Sequence, residues 1–454
     1  MGTLNVLESS VQAEVRSKSQ QPVLVSEEMV RRPELVESVS PQVQTTTYLS
    51  WSSLKEVMPG WERLLEQNLS LSIFSTPEWL RSWWDAFGAN RHLVVVAFSD
   101  SAGELIGLVP LYWETVKHPV FARIRQLRLL GDGSGDSDNL DFIVKPSQED
   151  KCASALVEWI SQQRNSGICS FNTLPQNSLV TKILVDRIEN ARWPSRITTT
   201  PNSAVPLPLT WESYIEGLSP KFRRLITRAR KKIDSQYEVR FRRCESARDV
   251  PHMLETLYCL HQKRWNSINE PGSFASAERR QLYTRMANAF LERGWLELWN
   301  LELNGKAVAA QMSFRYRDRV YGLQEGFDPA FFTQHVGYVL RAEMFKCFIQ
   351  SGVRVYDFLG GFNAQKQRWG AERGAYTNLQ FATPWSVASW CLTLDKGAAV
   401  GKEWLRHHLP SSAWNVLHRM KISLTHEENA GNPAAADAPL LDSPQGTTDG
   451  IACQ

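Results

Sequence analysis

Several residues in the second half of the chain have types and spacing suited to chemistry. The hexapeptide Gln334-His335-Val336-Gly337-Tyr338-Val339 opens a helical pattern whose apolar positions are Val336, Leu340, Met344 and Phe348. A helix start presents unpaired backbone N–H groups and the positive end of the peptide dipole, and a glycine there lets a phosphate approach the backbone. The competing reading is that Gly337 only relieves close packing of the helix start against a strand. Asp357 sits inside an otherwise apolar strand pattern, Val355-Tyr356-Asp357-Phe358-Leu359. An unpaired carboxylate is costly there, so Asp357 must face a polar cleft or be paired, in which case it anchors the loop that follows. That loop, Gly-Gly-Phe-Asn, leads to Lys366, Arg368 and Trp369, at a strand end where open α/β sheets carry functional groups. Lys366 and Arg368 suit an anion or a developing oxyanion. Trp369 suits stacking on a sugar, or else it pins a surface loop.

A strongly basic segment precedes these groups. Ser219-Pro220 is a helix start, and Phe222, Leu225, Ile226, Ala229 and Ile233 then share one face. From Pro220 to Arg243 there are ten Lys or Arg, Arg223, Arg224 and Arg228 among them, against Asp234 and Glu238. This segment carries +8, so the chain's net +3 leaves −5 for everything else. Such a patch attracts phosphates of any kind, but no aromatic platform or recognition motif for nucleic acid accompanies it. A plain solvated helix face is the alternative.

The elements that must position these residues follow from length and pattern. With 454 residues, 43% hydrophobic and 22% charged, the chain exceeds one ordinary domain and has the composition of a globular protein. No apolar run reaches the ~20 residues a membrane span needs, and the first residues lack a signal pattern. Seven cysteines lack C-x-x-C spacing, which gives no indication of a zinc site. An internal repeat is visible. STPEWLRSWWDAFG, a helix, precedes the hairpin LVVVAFSDSAGELIGLVPLYWE, and RRQLYTRMANAFLERG precedes the hairpin WLELWNLELNGKAVAAQMSFRYRD. Gly103 corresponds to Gly305, Ile106 to Val308 and Tyr112 to Phe314. Each hairpin is followed by a helix ending at Ser-Gly and a short buried strand, which predicts two α/β units with mixed sheets.

Four ordered blocks then carry a family resemblance: Gly326-Phe327-Asp328-Pro329, Val336 to Leu340, Tyr356 to Gly361, and Lys366 to Gly370. They resemble the GNAT-like domain of the CelD/BcsL acyltransferases of cellulose biosynthesis, and more distantly the Fem-type aminoacyl transferases with their paired GNAT units. The resemblance runs from about Phe74 to Thr383 and is strongest from Trp211 onward. It implies an α/β fold of two tandem GNAT-like units, each a mixed, mostly antiparallel sheet flanked by helices. By the same resemblance Gln334 to Val339 holds the pyrophosphate of acetyl-CoA or another acyl-CoA, although Val339 departs from the small residue of the family pattern. The carbonyl donor is then a backbone N–H near Gly322 to Glu325. Glu325 and Asp357 are the candidate bases, Lys366 a catalytic cation, and Arg223, Arg224, Arg228, Arg368 and Trp369 the acceptor contacts; by the same resemblance the basic helix borders the cleft and receives an anionic sugar nucleotide or lipid-linked donor. No metal is implied, and direct transfer is preferred because no cysteine stands out as a nucleophile.

The expected division is a disordered head over 1–44, a first unit over 45–205, a second over 206–384, a helical cover over 385–424 and a disordered acidic tail over 425–454. The expected activity is acyl transfer to an amine or hydroxyl of a sugar or lipid-linked envelope precursor, in the cytoplasm of a bacterium that makes cellulose or exopolysaccharide. Contact with the membrane surface or with a polysaccharide synthase fits that setting. The alternatives are Fem-type transfer from a charged tRNA, the one reading with a nucleic-acid partner, and a non-catalytic scaffold.

Overall fold

A computed structural model describes residues 38–394 apart from 41–42, 119–121, 164–166, 268 and 270–271. The acidic tail, most of the expected helical cover and most of the expected head lie outside the described residues.

The first half runs β1 (Ser38–Ser40), β2 (Val43–Tyr48), α1 (Met58–Gln67), α2 (Pro77–Phe87), β3 (His92–Ser99), β4 (Leu105–His118), β5 (Ala122–Leu129), β6 (Ile143–Val144), α3 (Glu149–Ser161), β7 (Ile168–Pro175), α4 (Leu179–Asn190) and β8 (Ser195–Pro206). The second half runs α5 (Trp211–Gly217), α6 (Pro220–Gln236), β9 (Val239–Arg243), α7 (Val250–Asn266), α8 (Ala277–Glu292), β10 (Leu296–Leu303), β11 (Lys306–Tyr316), β12 (Arg319–Phe327), α9 (Val336–Gln350), β13 (Val355–Gly360), α10 (Ala364–Arg368) and β14 (Glu372–Phe381). From β2 and β9 onward the two halves present the same sequence of elements, apart from the two-residue β6 of the first half. The head expected to be disordered therefore ends in strand, since β1 and the start of β2 fall before residue 45.

Local sequence explains the starts. Thr76 caps α2 by accepting the N–H of Trp79, with Pro77 at the first helical position, and Ser219 caps α6 by accepting the N–H of Phe222. The hairpin turns of the two halves both place a glycine at positive φ, Gly103 at +79° and Gly305 at +80°, where a side chain would be strained. Tyr112 and Phe314, matched in the repeat, are both fully buried.

All strands join one mixed sheet in the order β1-β2-β3-β4-β5-β7-β14-β8-β13-β12-β11-β10-β9, with β6 paired to β4. The order is symmetric about its centre because the last strand of each half is exchanged. β8, from the first half, pairs with β13, and β14, from the second, pairs with β7. The two exchanged strands pair with each other along ten residues, Glu372 opposite Ala204 through Phe381 opposite Ser195. A boundary at residue 205 thus falls within β8. One apolar core includes residues of both halves, with Trp79 of α2 stacked on Phe290 of α8 at 6.2 Å. A second core, under α5, α6 and α9, contains Phe222, Ile226, Phe345 and Trp369. Among the described residues no helix is long and apolar enough to cross a membrane, and no group of three or more His, Cys, Asp or Glu could hold a metal ion.

Candidate active site

In each half a parallel strand pair interrupts the antiparallel sheet, β5 with β7 and β12 with β13. The second pair is held only at Arg319 with Val355, Val320 with Tyr356 and Tyr321 with Asp357, and then the strands part. A bulge sharpens the divergence. Met312 of β11 pairs with Gln324 but Ser313 pairs with Gly322, so Leu323 is the extra residue and the β12 backbone is re-aimed next to the opening. Gly322 is demanded there, because a Cβ would stand 2.3 Å from the Tyr356 hydroxyl.

The V between the parted strands is lined by Gln311, Gly322, Glu325, Arg341, Tyr356 and Phe358, and its interior, about 10 Å³, holds roughly one water. Glu325 is committed within it. Its carboxylate pairs with Arg341 of α9 and, at 3.5 Å, with Arg264 of α7. Arg341 is almost wholly buried, with its guanidinium 5.1 Å from the ring centre of Phe358 and 5.5 Å from that of Trp369. Although burial alone opposes the charge on Arg341, the Glu325 carboxylate raises its pKa above the usual value.

At the mouth of the V, His335 takes a left-handed conformation, φ +53°, and its carbonyl accepts the N–H groups of Tyr338 and Val339. The chain turns there from the Pro329–Gln334 helical turn into α9. Gly337 is not crowded: an added Cβ would make only an ordinary van der Waals contact, with Phe327 Cδ1 at 3.8 Å. Packing therefore does not require this glycine, which removes the competing explanation for it. Val336 and Val339 are buried in the second core, so the departure at Val339 does not crowd the helix start. Tyr338 donates from its hydroxyl to Gln365 Oε1 at 2.7 Å, and Gln334 Oε1 accepts from Thr333. His335 stacks on Tyr338, and burial, then the charge of Lys232 on α6, lower its pKa.

The other sequence candidates are dispersed. Asp357 points to the face of β13 opposite Tyr356 and Phe358, by strand alternation, and is both paired and beside a cleft. Arg319 donates to its Oδ2 at 2.9 Å, and its Oδ1 accepts the N–H of Leu359 at 2.8 Å. Lys366 is not open to a ligand. Its buried ammonium donates to the carbonyls of Phe358, Gly360 and Gly361, which uses all three hydrogens, and burial lowers its pKa to about 8. Trp369 cannot stack on a sugar, because it is fully buried among Phe222, Tyr338 and Phe345. Arg368 is exposed. On α6, Arg223 is half-buried, while Arg224 and Arg228 are exposed with Lys221, Lys231 and Lys232 on one stripe that forms no hydrogen bond or ion pair among the described residues. Arg230, behind the stripe, pairs with Asp234 and Glu343.

The sequence reading missed Arg341 and Arg264, whose partner lies on a different element, and the loop after β5. That loop, Gly131 to Asp141, stands where the α9 loop stands in the second half, yet it carries Asp132, Asp136, Asp138 and Asp141. Its run of acids was the available signal. Asp136 pairs with Arg279 of α8 at 3.0 Å and accepts from Tyr283, and Asp138 accepts the N–H of Gly360 at 2.8 Å.

Residues 220–369 match the family model described as Acetyltransferase (GNAT) domain. The matched span, about a third of the chain, is thus similar to a GNAT acetyltransferase domain, and it holds the V, the α9 loop and α6. No curated protein matches the chain. Among solved structures, one described as FemX superposes with a TM-score of 0.52 at 9% identity, covering 71% of this chain and 95% of that one. The C-terminal domain of a putative lysylphosphatidylglycerol synthetase from Agrobacterium fabrum gives 0.45 at 10% identity, covering 76% and 96%. A tandem GNAT protein from the clavulanic acid biosynthesis pathway gives 0.40 at 9% identity, covering 75% and 99%. At such identities likeness concerns the fold, and of the three FemX alone carries that argument.

Proposed function

We propose that the protein transfers an acyl group, acetyl in the simplest case, from a coenzyme A thioester directly to an amine or hydroxyl of a sugar or of an envelope or exopolysaccharide precursor. One observation carries the reading: at the mouth of the V the helix start bears a glycine that protein packing does not require. The residues present fit a pyrophosphate. The first N–H groups of α9, at Val336 and Gly337, are the donors, the open side of Gly337 admits the phosphate, and Lys232 adds positive charge nearby. Coenzyme A supplies the activated acyl carbonyl. The β12 backbone beside the bulge at Leu323 faces that carbonyl and stabilises its developing charge. Glu325, on the V side, takes the acceptor's proton in this reading, whereas Asp357 faces away from the thioester. Because the interior of the V admits only about one water, the Glu325–Arg341 pair must yield as the acyl end enters.

The unpaired cations of α6 favour a second reading, transfer from an aminoacyl-tRNA. Thermal unfolding separates the two: acetyl-CoA raises the midpoint in the first and tRNA in the second. A response to neither leaves the scaffold. Gly337→Asp must abolish both the acetyl-CoA response and acyl transfer, and a variant that retained both would refute the phosphate site.

A further inference from the structure

A cleft of about 580 Å³ opens on the face of β13 away from the V, where the exchanged strands β8 and β14 meet the ends of β7 and β12. Its size lies in the range of small-molecule sites. Four carboxamides line it: Asn139, Gln176, Asn177 and Asn202. Three charged groups, Lys182, Arg319 and Asp357, join them, and no aromatic ring does.

Two backbone features show that these groups are built into place. Gly374 of β14 has no Cβ where the Asn202 carboxamide lies, since an added Cβ would stand 2.2 Å from Asn202 Oδ1. Asn139 adopts φ +50°, and its amide donates to the Tyr376 hydroxyl at 3.1 Å and towards Asp357 at 3.4 Å. Arg319 uses Nη1 on Asp357, which leaves Nε and Nη2 without a partner among the described residues, as is the ammonium of Lys182.

We infer that this cleft binds a phosphorylated sugar. A carboxamide offers a donor and an acceptor side by side, the arrangement that pairs with neighbouring hydroxyls, and the Asp357 carboxylate adds a further acceptor. The guanidinium and ammonium supply the charge for a phosphate. With no ring to stack on, recognition rests on these polar contacts. The inference goes beyond acyl transfer, because the cleft shares neither the α9 loop nor the interior of the V.

Calorimetric titration of the full chain with glucose 1-phosphate tests it. Binding is expected at submillimolar concentration, with glucose at least tenfold weaker. Lys182→Met, at an exposed position with no side-chain partner, should weaken binding at least tenfold, and Asn177→Leu severalfold. The double variant Lys55→Ser, Arg63→Ser, at exposed positions remote from the cleft lining, should change nothing. A titration with UDP-glucose distinguishes a diphosphate-linked sugar from a free sugar phosphate, either of which supports the site. Failure to bind, binding insensitive to both cleft variants, or equal affinity for inorganic phosphate overturns the inference. None of these readouts depends on acyl transfer.

Discussion

Asp138, in the first half, accepts the backbone N–H of Gly360, in the second, at 2.8 Å. The bond joins the acidic loop after β5 to the end of β13, where the chain leaves the sheet for α10. In the second half the corresponding loop opens α9 with Gly337; in the first it is spent on protein contacts. Asp138→Ala leaves the buried Gly360 N–H without its acceptor, which should cost on the order of 1 to 3 kcal/mol in urea denaturation. Hydrogen exchange should quicken at Gly360 and leave the β3–β4 hairpin unchanged. Equal protection at Gly360 in both proteins would show that the loop does not hold β13.

Lys366 secures the same strand end through its carbonyls. Replacing it with Met removes the donor to three carbonyls in a buried turn, a loss on the order of 3 kcal/mol. Lys366→Arg should not restore stability, since a planar guanidinium cannot match an ammonium surrounded by three carbonyls. A Met variant within 0.5 kcal/mol of the parent would remove the clamp from the account.

Gly337→Ala separates folding from binding. A methyl group meets nothing closer than 3.8 Å, and alanine is the better helix former, so stability should stay level or rise by up to about 0.5 kcal/mol. The stabilisation by acetyl-CoA should fall at the same time, because the methyl occupies the side from which the phosphate approaches. A variant that kept the full ligand response would show that the phosphate lies elsewhere.

What could be read from the sequence was local. The hairpin glycines, Gly103 and Gly305, and the capped starts at Thr76 and Ser219 depend on a few neighbouring residues, and the repeat followed from them. The exchange of β8 and β14 depends on pairing between strands some 170 residues apart, which no local pattern encodes. The same limit explains the site. Gly337 was legible because a helix start is local, whereas Glu325 is committed to Arg264 and Arg341 on two other helices. A Trp after a glycine-rich loop looks the same in sequence whether it faces a ligand or, like Trp369, the core. The acidic run from Asp132 to Asp141 was visible but had no meaning until its partners on α8 and β13 were known.

Two groups with opposed titrations give the last prediction. His261, on α7 against Gly326, is buried, and desolvation lowers its pKa to about 4. Below the unfolded value near 6.5 the unfolded chain takes up a proton that the native state refuses. Stability from this group is therefore intact above pH 6.5 and lost as pH falls towards 4. Asp141, bonded to Ser178 and to the N–H of Phe142, is raised to about 7 by burial. Here the native state holds a proton that the unfolded chain releases above pH 3.8, so stability is intact at low pH and lost as pH rises through 7. Each effect is on the order of 3 kcal/mol, and between pH 4 and 6.5 the two oppose each other. His261→Gln should therefore tilt the stability profile in that window towards acid relative to the parent, and Asp141→Asn should tilt it towards base. The parent's slope should fall between those of the variants in urea denaturation at half-unit pH steps. If the two variants shifted the slope in the same direction, the opposed titration would be wrong.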